Sequence, residues 1–470
     1  MACALFSSRT LRTLEALHAT AQPPLMQRAG AAIAAWIQDH FPLQPLTVVA
    51  GPGNNGGDAL IAASQLRSAG WPVRVHRLGS CRHPELEQGL DVVETPPTGN
   101  GGLLLDGLFG IGLQHAPRSP ADNWIAAINR SQALIVAIDV PSGLDADTGH
   151  APGVAVRAAH TLTLLGNKPG LYTGMGRDLA GKVSFLELGV TLPDSPDYLL
   201  IEGGNAPRLA PRIHASHKGS FGSVVVIGGA RGMAGAALLA GRAALHAGAG
   251  KVHVGLLDDA LHLDPQQPEL MLNSARHTLE APSDAIAIGP GLGRSAEALQ
   301  MLALTLAATK VVVLDADALN LVAETPSLGQ QLQQRQYPTI ITPHPAEAAR
   351  LLGCDTAAIQ DNRFAAVARL RDHYRCTVVL KGSGTLCTSP EQLTSVNGSG
   401  NGALASAGQG DVLTGLISAI CAQGLVPLDA ARLATWAHGA VADHWRDQHP
   451  AGVGLTAAET LGLARTYLNR

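Results

Sequence analysis

Three aspartates and a handful of glycine-rich turns are the residues of this chain best suited to chemistry. Asp106 follows the apolar run of LLLDGLFGIG, and Asp139 follows that of VAIDVPSGLDADTG, with Ser142 three residues on. Carboxylates at the carboxyl ends of several parallel strands converge where open α/β sheets bind ligands. The segment LTVVAGPGNNGGDALIAA reads as strand, glycine loop and helix, and Gly51, Gly53 and Gly56 have the G-x-G-x-x-G spacing of a dinucleotide fingerprint. Glycines there let the backbone approach a ligand, and the free N–H groups of the helix start favour phosphate or another anion. Far downstream, NGSGNGALASAGQGDVLTGLISAICAQG sets Gly408, Gly410 and Asp411 as G-x-G-D directly ahead of an apolar helix. N–H groups at such a start can hold the charge of a transferring phosphoryl group, while Asp411 takes a proton from the attacking hydroxyl. KGSGT at Lys381–Thr385 reads as a second nucleotide-contacting loop. ITPHPAE offers His344 and Glu347, IGPGLGR offers Gly291 and Gly293, and VLDADALN offers Asp315, each at a further strand end.

The elements that must position these residues repeat one pattern: a short Val- and Ile-rich run, a glycine turn, then an Ala- and Leu-rich helical stretch. That alternation predicts α/β architecture with parallel sheets covered by helices on both faces. Strands are expected at Leu46–Ala50, Val73–Leu78, Leu103–Leu105 and Leu134–Ile138, then at Val224–Ile227, Val252–Gly255, Ala285–Ile288, Val311–Leu314, Thr339–Ile341 and Val378–Leu380. At 470 residues the chain exceeds one hydrophobic core. The proline-containing stretch from Leu192 to Arg212 is the expected boundary, giving domains 1–204 and 205–470.

Composition excludes other classes. Aromatics are 3% and the formal net charge is −4, which disfavours base-stacking platforms and phosphate-backbone binding, so no nucleic-acid partner is expected. The six cysteines show no C-x-x-C spacing, so neither a zinc site nor a disulfide framework is expected. MACALFSSRT is not a secretory signal, and no apolar stretch reaches the roughly 18 residues of a membrane span. The expectation is a cytoplasmic protein without a membrane partner.

LMQRAG, GPGNNGGDA, DGLFGIG, DVPSGLDADTG and GNKPGLYTGMGRDLAGKV resemble the NAD(P)H-hydrate epimerase family. The resemblance implies a Rossmann-like three-layer domain that handles NADH hydrate and NADPH hydrate. It places the substrate-binding loop on Asn54, Asn55, Gly56, Gly57 and Asp58, and a second loop on Gly110, Ile111, Gly112, Leu113, Gln114, His115 and Ala116. Asp139 is its further substrate contact, and Asn55, Asp106 and Ser142 are its K+ ligands. An amide oxygen, a carboxylate and a hydroxyl form an all-oxygen shell suited to a hard cation. A carboxylate near the hydrated ring carbon can take the hydroxyl proton and return it, with Asp139 the first choice of base and Asp106 the second. Relatives carry a basic residue after the second loop, where LQHAPRSP leaves His115 or Arg118.

HKGSFG, GMAGAA, GPGLGR, DADALN, TPHPAE, KGSGT and GQGDVLTG resemble, in order, the ADP/ATP-dependent NAD(P)H-hydrate dehydratases, which implies a ribokinase-like α/β domain. Hydrate contacts then fall on Ala236, Gly291 or Gly293, His344 and Asp411, and nucleotide contacts on Lys381, Gly382, Ser383, Gly384, Thr385 and Gly410. Asp411, Asp139 and Asp106 are the catalytic candidates, ADP or ATP is the co-substrate, and Mg2+ would neutralise its phosphates. Relatives carry G-T-G-D where this chain has Gln409. The resemblance also implies a homo-oligomer. Two other readings stand beside it: a ribokinase-like kinase of a vitamin precursor behind a non-catalytic scaffold domain, or an RNA-associated scaffold in the first half.

Overall fold

The computed structural model describes residues 4–98, 101–113, 115–258 and 260–470. The chain divides into two compact units, Met1–Leu199 and Leu200–Arg470.

The first unit is built on seven strands: β1 (Leu46–Ala50), β2 (Val73–Arg77), β3 (Val92–Val93), β4 (Leu103–Gly107), β5 (Leu134–Ile138), β6 (His160–Leu164) and β7 (Lys182–Leu186). They lie in the order β3-β2-β1-β4-β5-β6-β7, and every neighbouring pair is parallel. Because side chains alternate along a strand, consecutive residues serve different layers. Val48, Leu105, Val136 and Ile138 pack with Ile33, Leu60 and Leu66 of helices Leu25–His40 and Asn54–Ser68. Their neighbours Val49, Leu104, Ile135 and Ala137 pack with Trp124, Ile125 and Ile128 of helix Ala121–Arg130. Helices on both faces make the three-layer sandwich, and a sheet buried on both sides explains its near-continuous apolar strands. Strand order reverses between β1 and β4, so the turns after these two strands open the crevice where such sheets take ligands.

The second unit carries β8 (Ser223–Gly228), β9 (Lys251–Leu256), β10 (Met271–Ser274), β11 (Ala285–Ile288), β12 (Val311–Leu314), β13 (Thr339–Ile341), β14 (Thr377–Leu380), β15 (Leu386–Thr388) and β16 (Ser395–Asn397). The order is β16-β15-β14-β13-β12-β11-β8-β9-β10. Pairing is parallel from β10 to β14 and antiparallel through β15 and β16. Helix Gln409–Ala422 packs on helix Ala234–His246 so closely that a side chain at Gly415 would meet the Ala240 carbonyl at 2.1 Å. Small residues are what allow that approach. The α/β class expected from the alternating pattern holds in both units.

All ten expected strands are present, differing at most by two residues at an end. Six more of these strands, β3, β6, β7, β10, β15 and β16, were not expected. In β6 the pattern HTLTL buries Thr161 and Thr163 completely, so its polar residues point inward and disguise it.

Candidate active sites

In the first unit the turn after β1 is shaped by steric need. Side chains at Gly51 and Gly56 would strike the carbonyls of Leu108 and Gly51 at 1.9 Å, whereas Gly53 has open space. Two of the three fingerprint glycines therefore serve packing, and one faces the cleft. Helix Asn54–Ser68 starts there without a side-chain cap, leaving its first N–H groups toward a cavity of about 740 Å³. Asn54, Asn55 and Asp58 line it with Gly110, Ile111, Gly112, Leu113 and Asp139. Gly56, Gly57, His115 and Ala116 are not on its wall, and neither is Arg118. Gln114 lies outside the described residues.

Asp106 and Ser142 sit fully buried beneath this cavity. Ser142 N donates to Asp106 Oδ2 at 2.9 Å, Ser142 Oγ to Oδ1 at 2.7 Å, and Leu108 N to Oδ1 at 3.2 Å. Burial pushes the Asp106 carboxyl up to about 6 despite these hydrogen bonds. Asn55 Nδ2 donates to the Ile138 carbonyl at 3.4 Å. A side chain at Gly110 would lie 3.2 Å from Asp139 Oδ2 and 3.4 Å from Asn55 Oδ1, so both oxygens border the space that glycine leaves. Asp58 is pushed well above the carboxylate range by burial first, then by the charges of Asp139 and Glu15.

Sequence reasoning missed four charged lining residues, Arg12, Glu15, Arg82 and Lys168. Lys168, almost wholly buried, pairs with Asp139. Glu15 and Arg12 reach the same cavity from helix Ser8–Leu17. Lys168 stood inside the quoted GNKPG segment, but a single lysine after a strand carries no signal of its own.

In the second unit the expected motifs gather at the carboxyl ends of β8, β11, β12, β13 and β14. Gly291 and Gly293 adopt φ of 58° and 71°, and a side chain at Gly291 would meet Ala236 Cβ at 3.2 Å. Gly293 N donates to Asp317 Oδ2 at 2.8 Å. His344 caps helix Pro345–Leu352: its Nδ1 accepts from Ala346 N at 3.1 Å, and Glu347 Oε2 accepts from His344 N at 2.7 Å. With Nδ1 accepting, the proton resides on Nε2, 3.3 Å from Glu347 Oε1. Burial first, then Lys381, lowers the His344 pKa, which favours this neutral ring.

Lys381 is central. Its Nζ donates to Asp315 Oδ1 at 2.7 Å and lies 3.8 Å from Glu347 Oε2. Asp315 also accepts from Thr342 Oγ1 and Thr414 Oγ1, both at 2.8 Å, joining β12 to helix Gln409–Ala422. A side chain at Gly410 would lie 3.4 Å from Lys381 Nζ, so the ammonium underlies the G-x-G-D turn. Asp411 in the first turn of that helix is pushed up to about 7, by burial first, then by Asp315, with Lys381 opposing. The rest of the KGSGT loop rests on buried Arg363, which donates to the carbonyls of Leu380 and Lys381 at 3.2 and 3.3 Å and would clash with a side chain at Gly382. Nothing in the sequence linked Arg363 to that loop.

Gln409 turns inward. Its Nε2 donates to Thr460 Oγ1 at 3.0 Å, and its Oε1 accepts from His438 Nε2 at 3.0 Å. His438 is lowered to about 4 by burial, so a neutral ring fills this contact. Among the described residues no helix is long and apolar enough to cross a membrane. Nor do three or more His, Cys, Asp or Glu side chains form a metal cluster there.

Comparison with known proteins agrees with both halves. The family described as YjeF-related protein N-terminus matches residues 22–170, and that described as NAD(P)H-hydrate dehydratase matches residues 224–461. The chain is 37% identical over 446 residues to the bifunctional NAD(P)H-hydrate repair enzyme Nnr of Escherichia coli strain K12, covering 89% of this chain and 84% of that protein. Against the enzyme of the same name from Coxiella burnetii it is 37% identical, covering 99% of both. Among solved structures, the ADP/ATP-dependent NAD(P)H-hydrate dehydratase of Bacillus subtilis, co-crystallized with ATP/Mg2+, is 31% identical. It covers 56% of this chain and 94% of its own, with a TM-score of 0.49. A ribokinase-like superfamily protein from Enterococcus faecalis is 28% identical, covering 56% and 91%, also with a TM-score of 0.49. With both family matches in order on one chain, and relatives matched nearly end to end, this protein belongs to the bifunctional NAD(P)H-hydrate repair enzymes, an epimerase domain followed by a dehydratase domain.

Proposed function

We propose that residues 1–204 interconvert the two hydroxyl epimers of NADH and NADPH hydrate, and that residues 205–470 dehydrate the S epimer at the expense of ADP or ATP. The observation that carries this is that each unit sets an aspartate in a site built where its parallel strands end: Asp139 in the 740 Å³ cavity, and Asp411 in the first turn of helix Gln409–Ala422, within the charge field of Asp315 and Lys381.

In the first site Asp139 is the base. The hydrated carbon bears both a hydroxyl and the ring nitrogen. As Asp139 takes the hydroxyl proton, a C=O bond forms and the carbon–nitrogen bond breaks, its electron pair resting on nitrogen. Return of that pair to the other face of the carbonyl, with the proton handed back, gives the opposite epimer. Asp106 is the poorer base because both its oxygens accept hydrogen bonds from the protein. Asn55, Asp106 and Ser142 fit K+, since their donors are all oxygen and, among the described residues, the buried Asp106 carboxyl is met by hydrogen bonds from Ser142 and Leu108 and by no cation. K+ held by these residues would supply positive field to the cleft.

In the second site Asp411 takes the hydroxyl proton while that oxygen attacks the terminal phosphoryl of the nucleotide, and AMP leaves when the nucleotide is ADP. The ring nitrogen's lone pair then expels phosphate, and loss of a proton from the adjacent ring carbon restores the double bond. Water is a poor leaving group and phosphate a good one. N–H groups at Gly410 and Asp411, with the Lys381 ammonium beneath, stabilise the phosphoryl charge. Ala236, Gly291 or Gly293 and His344 contact the hydrate, and Lys381–Thr385 contact the nucleotide. For Mg2+ the fit is narrower: Asp315 and Glu347 already share Lys381 and Asp411 is kept for the hydroxyl proton, so the nucleotide phosphates would be the chief ligands of the ion. Bound Mg2+ would neutralise phosphate charge.

We further place this activity in a cytoplasmic homo-oligomer, which light scattering on the purified protein checks. The function itself is tested by giving the protein the S hydrate with ADP, with ATP or with neither. Return of dihydronicotinamide absorbance only with nucleotide is expected. Nucleotide-independent turnover would sink the phosphorylation step, and a stable phosphorylated vitamin alcohol would favour a kinase.

A further inference from the structure

We infer that Lys168 is the positioning residue of the epimerase base, locking one oxygen of Asp139 so that the other alone meets the hydrate hydroxyl. The inference rests on the epimerase reading above and adds to it the residue that aims the base.

Lys168 is 1% exposed, yet it has no surplus donor. Its Nζ donates to Asp139 Oδ1, to Thr163 Oγ1 at 3.0 Å and to the Leu164 carbonyl at 2.5 Å, which uses all three N–H bonds. Asp139 Oδ1 also accepts from Leu164 N at 3.2 Å. The same carboxylate oxygen is thus held twice, by the end of β6 and by the lysine that follows it. Oδ2 has a different fate. It borders the space left by Gly110, inside the cavity, alongside Asn55 Oδ1.

The backbone supports this division. Asp139 has φ of 68° and Leu165 has φ of 59°, both in the left-handed region that non-glycine side chains disfavour. Such strain persists only where surrounding contacts over-determine it, and it clusters at functional sites. Lys168 supplies those contacts, because it bonds Asp139 just after β5 and Thr163 and Leu164 at the end of β6. A buried ammonium is expensive unless paired, so a staple made only for stability would be better built from apolar side chains. An aimed carboxylate gives the charge a use.

The test uses the full chain and both activities. Lys168→Met is expected to lower the epimerisation kcat about 100-fold, the scale of a misplaced reacting group, with KM within about threefold. Dehydration of the S hydrate by the same protein stays unchanged. Lys168→Ala opens room for an added primary alkylammonium ion, which is expected to restore at least about tenfold of the lost kcat, whereas the matching neutral alcohol restores none. A folded Lys168→Met protein with kcat within twofold of the parent overturns the proposal. So does a folded, inactive Lys168→Ala protein that ammonium does not rescue. Should neither variant fold, Thr163→Val keeps the charge and loosens one contact. It is expected to lower kcat severalfold at constant KM, and an unchanged kcat overturns the proposal. Failure of the underlying reading looks different: the unaltered protein itself would fail to speed epimerisation, or Asp139→Asn would leave it untouched.

Discussion

Each of the two sites holds an aspartate and a lysine, buried in the first and half-buried in the second, but the lysine is used in opposite ways. In the first unit Lys168 grips Asp139 directly and leaves a single oxygen to the cavity. In the second, Lys381 is bonded to Asp315 and set 3.8 Å from Glu347, and Asp411 is pushed up to about 7 by burial first, then by Asp315, against the pull of Lys381. The difference matches the chemistry proposed for each. Inverting a hydroxyl centre needs a base held in a fixed direction, whereas phosphoryl transfer needs a base poised near neutral pH and a fixed cation under the phosphoryl group. On this reading a lysine aims the acid in one place and serves the substrate's charge in the other.

The largest expected effect breaks the comparison on one side only. Asp411→Ala should slow dehydration by about 10³-fold or more while leaving epimerisation intact, as read by separating the two epimers over time. Asp139→Ala should do the reverse, by roughly 10²- to 10³-fold. Next comes pH. As the proposed base Asp411 must be a carboxylate, and its value is raised to about 7, so dehydration kcat/KM should fall about tenfold per pH unit below that point. Lys381→Met removes the attraction that opposes the rise and should move this acid limb upward; a limb that stays put would detach Lys381 from Asp411. K+ offers a third handle. Asp106, pushed up to about 6, is neutral below that pH, so K+ stimulation of epimerisation should fade there, and Asp106→Asn should lose it at every pH. The smallest effect concerns Gln409→Thr, which strips the partner from buried His438. Thermal unfolding of the second unit should report a loss of about 1–3 kcal/mol, with dehydration changed only a few-fold.

Much of this was legible before any coordinates. Apolar runs bounded by glycines marked the ten central strands, acids directly after such runs, Asp106, Asp139 and Asp315 among them, fell at the ligand-facing edges, and the glycine turn ahead of an apolar helix marked Asp411. What escaped notice has physical reasons. Strands with inward threonines, such as His160–Leu164, do not look apolar. The supports of the two sites are joined across the fold and not along the chain: Lys168 reaches back 29 residues to Asp139, Arg363 reaches forward 18 to Lys381, and His438 meets Gln409 from another helix. A lone lysine, arginine or histidine has no period and no motif to announce such a contact. The glycines mislead in the other direction, since Gly51 and Gly56 satisfy packing while the fingerprint spacing credits them with ligand approach.

The central claim is that two sites act independently on one damaged coenzyme. A mixture of both hydrate epimers with saturating ADP, given in parallel to the parent protein and to Asp139→Asn, puts this directly to the test. The parent should return the whole mixture to NADH, while the variant should consume the S fraction at the parental rate and then slow to the uncatalysed pace of interconversion. Complete, parental-rate consumption of both epimers by Asp139→Asn would contradict it.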